Sequence, residues 1–297
     1  MIRTRFAPSP TGPLHLGHAY SAITAHDFAR RQGGMFLLRI EDLDQSRARP
    51  EWKAQIFDDL AWLGLTWDGP VLRQATRSAA YEAALTALLG RGLIYGCNCS
   101  RRDIAQAASA PQEGATPNWG PDGLVYPGTC RPHIAGHLLA GPARRLDMAA
   151  ALAGCSEIAF QELSDDLTTP INHINNVHHF IDNIGDVVIS RSDGAAAYHL
   201  AVVVDDAAQD ITHVVRGADL LSATPIHALL QHLLGYAKPI YHHHTLIRDS
   251  NGKRLAKRDD AKAIAKFRSK GASPDDVRAM VGLPPCSNSR SDYIYFR

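Results

Sequence analysis

Apolar and polar positions alternate between two periods along the first hundred residues. Residues 3–7 read as a short strand. After a loop rich in proline and glycine, the apolar positions of residues 16–31 recur at helical spacing. The apolar run 35–40 predicts a buried strand that ends in Glu41 and Asp42, and helical patterns follow at about 50–63 and 77–91. Strands alternating with helices predict βαβ units and a parallel sheet, with ligands gathered at the carboxyl ends of the strands. Between about residues 95 and 160 the periodicity weakens and Pro, Gly, Ala and Cys become frequent, which suggests an inserted module. Strand signals return at 186–190, 197–204 and 211–215, and a helix is expected at about 224–234. The expected organisation is a doubly wound α/β domain with its first half at 1–94, an insert at 95–184, a second half at 185–236 and a short C-terminal segment at 237–297.

Composition narrows the class. With 297 residues, 45% of them hydrophobic, the chain can bury one large core or two ordinary ones without covalent staples. No run of about 18 apolar residues is present and the N-terminus lacks the apolar stretch of a signal peptide, so a cytoplasmic protein with no membrane partner is expected. A formal net charge of +1 offers no overall attraction for nucleic acid, so any phosphate-binding surface must be local. The five cysteines (Cys97, Cys99, Cys130, Cys155 and Cys286) are odd in number, which argues against a disulfide framework; the tight pair at 97 and 99 points toward metal chemistry.

The densest motif spans residues 5–18. Pro8, Pro10, Gly12 and Pro13 force a rigid turn after the first strand, which leaves His15 and His18 at the start of the next helix, on one face. A helix start is a ready anion site, Gly17 allows close approach to the backbone, and imidazoles can donate to phosphate oxygens. Glu41, Asp42 and Asp44 form an acidic cluster at a strand end. Residues 197–206 (Ala-Tyr-His-Leu-Ala-Val-Val-Val-Asp-Asp) precede residues 211–217, which contain Arg216. Taken alone, these read equally well as a buried strand and a surface arginine. Residues 249–258 form a basic stretch. Cys97 and Cys99, with Tyr126 and Cys130, could supply tetrahedral zinc, although spacing alone fits unrelated buried cysteines as well. The histidines 173, 178 and 179 and the run 242–244 are expected at the surface or at strand ends.

Together these segments resemble the class I aminoacyl-tRNA synthetases of the glutamyl and glutaminyl branch. Residues 5–18 are similar to that branch's Arg-Phe-Ala-Pro-Ser-Pro-Thr-Gly string and its His-x-Gly-His signature, residues 39–44 to its Arg-Ile-Glu-Asp-Thr-Asp segment, and residues 249–258 to its Lys-Met-Ser-Lys-Ser loop. The resemblance implies a Rossmann-type fold. It also implies His15, Gly17, His18 and Lys257 around ATP, with His15, His18 and Lys257 acting in catalysis. Arg5, Ala7, Ser9, Glu41, Tyr198 and Arg216 would form the glutamate pocket: Glu41 would hold the α-amino group, and the arginines suit a carboxylate better than a glutamine amide. A zinc-containing, acceptor-type insert held by Cys97, Cys99, Tyr126 and Cys130 follows as well. Arg254 and Ala256 depart from the usual lysine and serine of the second signature.

Only about forty residues follow that signature, so no anticodon-binding domain is expected. The shortened members of the branch attach glutamate to the queuosine base in the anticodon of tRNA(Asp). Resemblance to them implies queuosine-containing tRNA(Asp), L-glutamate and ATP with magnesium as partners, and a monomer. An ordinary tRNA(Glu) enzyme lacking its anticodon domain and a catalytically silent RNA-binding paralogue are the alternatives.

Overall fold

A computed structural model describes residues 1–108, 118–131, 142–247 and 263–286. Strand β1 (Arg3–Phe6) pairs in parallel with β2 (Met35–Ile40), Arg3 opposite Met35, and β2 pairs in parallel with β3 (Leu72–Arg73). Helix α1 (Leu16–Arg31) makes the crossover between β1 and β2, and α2 (Pro50–Trp62) and α3 (Ser78–Gly90) follow. Strand β4 (Ile94–Cys97) opens a second region containing α4 (Arg101–Ala108), a hairpin of β5 (Trp119–Gly120) and β6 (Gly123–Leu124), β7 (Ala143–Leu146) and α5 (Met148–Ala151). Next come β8 (Glu157–Leu163), β9 (Pro170–Asn176), β10 (Val188–Ser190), α6 (Tyr198–Ala208), β11 (His213–Gly217), α7 (Thr224–Leu234) and β12 (Ile240–His244), then α8 (Ile264–Ser269) and α9 (Pro274–Met280).

Two sheets meet where the site forms. The second has the order β11-β12-β8-β9, parallel except for the outer β8–β9 hairpin. Its β11 edge lies beside β1: the Thr212 N–H donates to the Arg3 carbonyl at 3.0 Å, and the Arg3 N–H donates to Thr212 Oγ1 at 2.8 Å. Chain order reverses at this junction, which is where doubly wound sheets open a crevice. One core joins α1, α2 and α9 to β1 and β2 through Ile23, Phe36, Leu60 and Val277; a larger one joins α3, α6 and α7 to the second sheet.

Two expectations are corrected. Residues 197–204 do not form a strand. Ala197 caps α6 and residues 198–204 lie within it, where every residue from 199 to 206 is buried; a helix stretch covered on all sides shows no amphipathic period, and its three valines imitate a strand. The span expected as an insert, 95–184, also contains a strand of the main sheet. Strand β8 pairs in parallel with β12 and puts Ile158 and Phe160 into the larger core, so the main sheet resumes near residue 157, while β10 joins β7 and β4 in an antiparallel sheet. The β8 and β12 partners stand 79 residues apart and leave no local mark in the sequence. Among the described residues, no helix is long and apolar enough to cross a membrane.

Asp59 is the odd member of the buried face of α2. It lies beside Ile56 and Leu60, and among the described residues neither of its oxygens has a hydrogen-bond partner. Burial, with a smaller push from Asp58, raises its carboxyl to about 7. The folded state therefore binds this proton more tightly than the unfolded chain does. The associated stability is complete below about pH 4 and is lost as pH rises through about 7, a loss on the order of 2–4 kcal/mol. Asp59→Asn is expected to flatten that part of the profile, read as urea-unfolding free energies from pH 4.5 to 8; an unchanged slope would refute the assignment.

Candidate active site

A cavity of about 670 Å³ opens at the carboxyl ends of β1, β2 and β11 and the N-terminus of α1. Arg5, Ala7, Ser9, His15, Gly17, His18, Glu41, Tyr198 and Arg216 all line it. Lys257 and the rest of the basic stretch 249–258 lie outside the described residues. The described residues on either side of that stretch do reach the cavity: Ile247 lines it, and Ala263 bridges to His15 through the backbone.

The two histidines cap α1 reciprocally. His15 Nδ1 accepts from the Gly17 N–H and His18 Nδ1 accepts from the His15 N–H, each at 3.1 Å, with the ring centroids 3.8 Å apart. A nitrogen that accepts carries no proton, so in the neutral rings the hydrogen sits on Nε2 and both imidazoles act there as donors. Gly17 adds a steric condition: a Cβ at this position would lie 3.1 Å from His15 Cε1 and crowd the ring out of its capping pose.

The floor carries a compact set of charges. Asp206 accepts from Arg5 Nε at 3.0 Å and from Arg39 Nη1 at 2.6 Å, while Arg39 Nη2 reaches Glu41 at 3.2 Å. Burial opposes the charge on Asp206, but Arg39 and Arg5 outweigh it and hold the carboxyl below its usual range. At Glu41 burial wins over the same two arginines, so its carboxyl titrates above the ordinary value. A carboxylate short of compensating charge is suited to an incoming ammonium.

Arg216 is built differently. Its Nε donates to His243 Nε2 at 3.1 Å, Nη1 meets His227 Nδ1 at 3.1 Å, and Nη2 donates to Thr224 Oγ1 at 2.8 Å and to the Leu220 carbonyl at 3.3 Å. Its four hydrogen-bond partners are uncharged, and among the described residues no carboxylate pairs with this buried guanidinium. These four bonds leave one Nη1 N–H. A carboxylate gripped by both arms of Arg216 alone is therefore not provided for.

Ser9, Glu41 and Tyr198 also line a second cavity, of about 650 Å³, which runs to Arg145 and Tyr126. There the Cys97, Cys99 and Cys130 sulfurs lie within 4.8 Å of one another. The Tyr126 hydroxyl lies 3.5 Å from Cys97 Sγ and 3.4 Å from Cys99 Sγ, and it accepts from the Cys130 N–H at 2.8 Å. Burial raises the Cys130 thiol, yet hydrogen bonds from Tyr126, Asn98 and the neighbouring cysteines bring it to about 7. Three converging sulfurs with a phenolic oxygen beside them fit a thiophilic divalent ion such as zinc.

The family of class I tRNA synthetases (E and Q), catalytic domain, matches residues 1–120 and 160–288. The glutamyl-Q tRNA(Asp) synthetase of Rhodobacter capsulatus is 57% identical over 286 residues, covering 94% of this chain and 99% of that protein. That of Geobacter sulfurreducens is 43% identical over 266 residues, covering 89% and 78%. The chain belongs to the glutamyl-Q tRNA(Asp) synthetase family of class I tRNA synthetases. Among solved structures, the glutamate-tRNA synthetase of Elizabethkingia anophelis superposes with a TM-score of 0.74 at 26% identity. A glutamate tRNA ligase of Elizabethkingia meningosepticum, in complex with its amino acid, gives 0.73 at 27%. The chain spans 61% and 60% of the length of these two proteins, and each match covers 95% of it.

Several residues that build the synthetase site carried no role in the sequence. Arg39 and Asp206 stand inside recognisable motifs, but nothing local says that they meet. The run His242–His244, expected at the surface or at a strand end, forms the end of β12 and is buried there; His244 lines the main cavity and its Nε2 lies 2.5 Å from Ser21 Oγ. Removing the shared carboxylate with Asp206→Asn leaves two buried guanidinium groups undercompensated. The expected cost is about 3–5 kcal/mol in urea unfolding at pH 7; a cost under about 1 kcal/mol would show that the two arginines do not depend on it.

Proposed function

We propose that the chain activates L-glutamate with ATP and transfers it to the queuosine base in the anticodon of tRNA(Asp). The observation that carries the amino-acid assignment is the asymmetry of the pocket: Arg216 is buried without a carboxylate partner among the described residues, and Glu41 is undercompensated. Glutamate supplies one group for each: the side-chain carboxylate goes to Arg216 and Arg5, and the ammonium to Glu41, with Tyr198, Ser9 and the backbone at Ala7 closing the pocket. The acceptor assignment rests on the names of the relatives that match nearly end to end.

In the first step the α-carboxylate oxygen attacks the α-phosphorus of ATP in line, and the bond to pyrophosphate breaks. The Nε2–H groups of His15 and His18, together with the N-terminus of α1, stabilise the phosphate oxygens, and Gly17 keeps the His15 ring in place. Lys257 is assigned to the charge that grows on the leaving pyrophosphate. Magnesium, when bound, neutralises phosphate charge. In the second step a hydroxyl of the modified base attacks the activated carbonyl and AMP leaves, so catalysis is chiefly positioning and charge stabilisation.

The deciding assay is glutamate-dependent pyrophosphate exchange followed by charging of tRNA(Asp) with and without queuosine and of tRNA(Glu). Exchange with transfer only to the queuosine-containing tRNA is expected. Transfer to tRNA(Glu) alone would establish ordinary glutamyl specificity, and absence of exchange would establish a silent paralogue. Lys257→Ala and His18→Ala should each lower kcat of exchange at least about 100-fold.

Cys97, Cys99 and Cys130, with Tyr126, would hold one zinc ion that ties down the module beside the second cavity. Elemental analysis of the purified monomeric protein is expected to give about one zinc per chain, falling to near zero in Cys130→Ser with a lowered melting temperature. Retention of full zinc by that variant would defeat the ligand set.

A further inference from the structure

Arg216 stands at the root of two chains of polar contacts, and the chemistry of imidazole gives each chain a direction. In the first, His243 accepts from Arg216 at Nε2, so its neutral ring carries the proton on Nδ1, which lies 2.7 Å from Glu162 Oε1. In the second, His227 accepts at Nδ1, so its proton sits on Nε2, 3.0 Å from His199 Nδ1. His199 therefore carries its own proton on Nε2, which lies 3.5 Å from Asp122 Oδ1 in the loop between β5 and β6. Each arm begins at the guanidinium and ends at a carboxylate.

We infer that His243 and His227 are positioning residues that determine specificity for an anionic side chain, and that Glu162 and Asp122 set the order of protons along the two arms. The inference rests on the assignment of the substrate's side-chain carboxylate to Arg216.

The reason lies in what an arginine needs when it must be held still and yet remain attractive to an anion. A glutamate or aspartate beside it would satisfy its N–H groups but cancel its charge. A water-filled space would leave the charge but not the direction. Neutral imidazoles supply lone pairs without charge, and the carboxylates that orient them stand one or two rings away from the guanidinium. Both rings are kept neutral by their surroundings: burial and then Arg216 push His243 down to about 2, and burial and then Arg216 push His227 well below its usual value. Tyr241 fixes the geometry further, stacking on His243 at 5.7 Å and 5° and lying under the Arg216 guanidinium at 5.0 Å. A substrate carboxylate then supplies the missing counter-charge, whereas an isosteric amide accepts a hydrogen bond and leaves the buried charge uncompensated.

The experiment measures KM and kcat for glutamate, and inhibition by glutamine, in pyrophosphate exchange with the full chain. His243→Gln keeps an acceptor toward Arg216 and a donor toward Glu162, and is expected to stay within about fivefold of the parent KM. His243→Glu fills the same space with charge. It is expected to raise KM for glutamate at least about 30-fold while kcat at saturation changes less than about threefold, the pattern of lost uniform binding. Inhibition by glutamine should change little, so discrimination between the two amino acids collapses. Circular dichroism and melting temperature check the fold of each variant. If His243→Glu does not fold, Glu162→Gln carries the test, with an expected rise in KM of about fivefold at unchanged kcat. A KM for glutamate within twofold of the parent in the folded His243→Glu protein, or in Glu162→Gln where that is used, overturns the inference. Arg216→Gln separates the two levels: an unchanged KM there defeats the pocket assignment itself, while a raised KM there with a parental KM in the His243 or Glu162 variant defeats only the positioning role.

Discussion

Asp206 is the residue on which the rest of the pocket depends. Arg5 comes from the first strand, Arg39 from the second and Asp206 from a helix some 170 residues further on, and the carboxylate lies 3.0 and 2.6 Å from the two guanidinium groups. Without it, two positive charges would sit in a space with little water to stabilise them. With it, the carboxyl ends of β1 and β2 are tied to the start of the second half of the fold, and the cavity has a rigid floor.

Charge is then distributed unevenly across the cavity. Arg5 and Arg39 are largely compensated by Asp206 and Glu41. Arg216, across the cavity, is held by uncharged groups, and Glu41 titrates above its usual range because burial outweighs its neighbours. An amino acid with a carboxylate side chain completes both deficits at once. The neighbouring cavity shares Ser9, Glu41 and Tyr198 with this one and runs to Tyr126, whose hydroxyl lies beside Cys97 and Cys99.

How much of this could be read beforehand varied with the range of the interaction that decides each feature. The turn at residues 8–13 and the start of α1 were legible because proline and glycine restrict the local backbone. The reciprocal cap made by His15 and His18 was not recognised, although its three-residue spacing was in view. Residues 197–204 misled because burial on all sides erases the helical period, leaving the β-branched valines as the visible signal. The burial of the three histidines at 242–244 was not legible for a related reason: a buried histidine is acceptable only when partners from other strands take up its nitrogens, and Glu162 and Arg216 are far away in the chain.

The sequence by itself determined the alternation of strands and helices in the first half, the identity of the pocket residues through their motifs, and the candidate metal ligands. These are properties of short segments, governed by local backbone restriction and by side-chain chemistry that does not need a partner to be recognised. Tertiary structure alone decided that β8 returns to the main sheet, that one aspartate serves two arginines, and that Arg216 is surrounded by neutral acceptors. Each of these is a balance between desolvation and pairing, and that balance exists only once distant parts of the chain have excluded water from the same small volume.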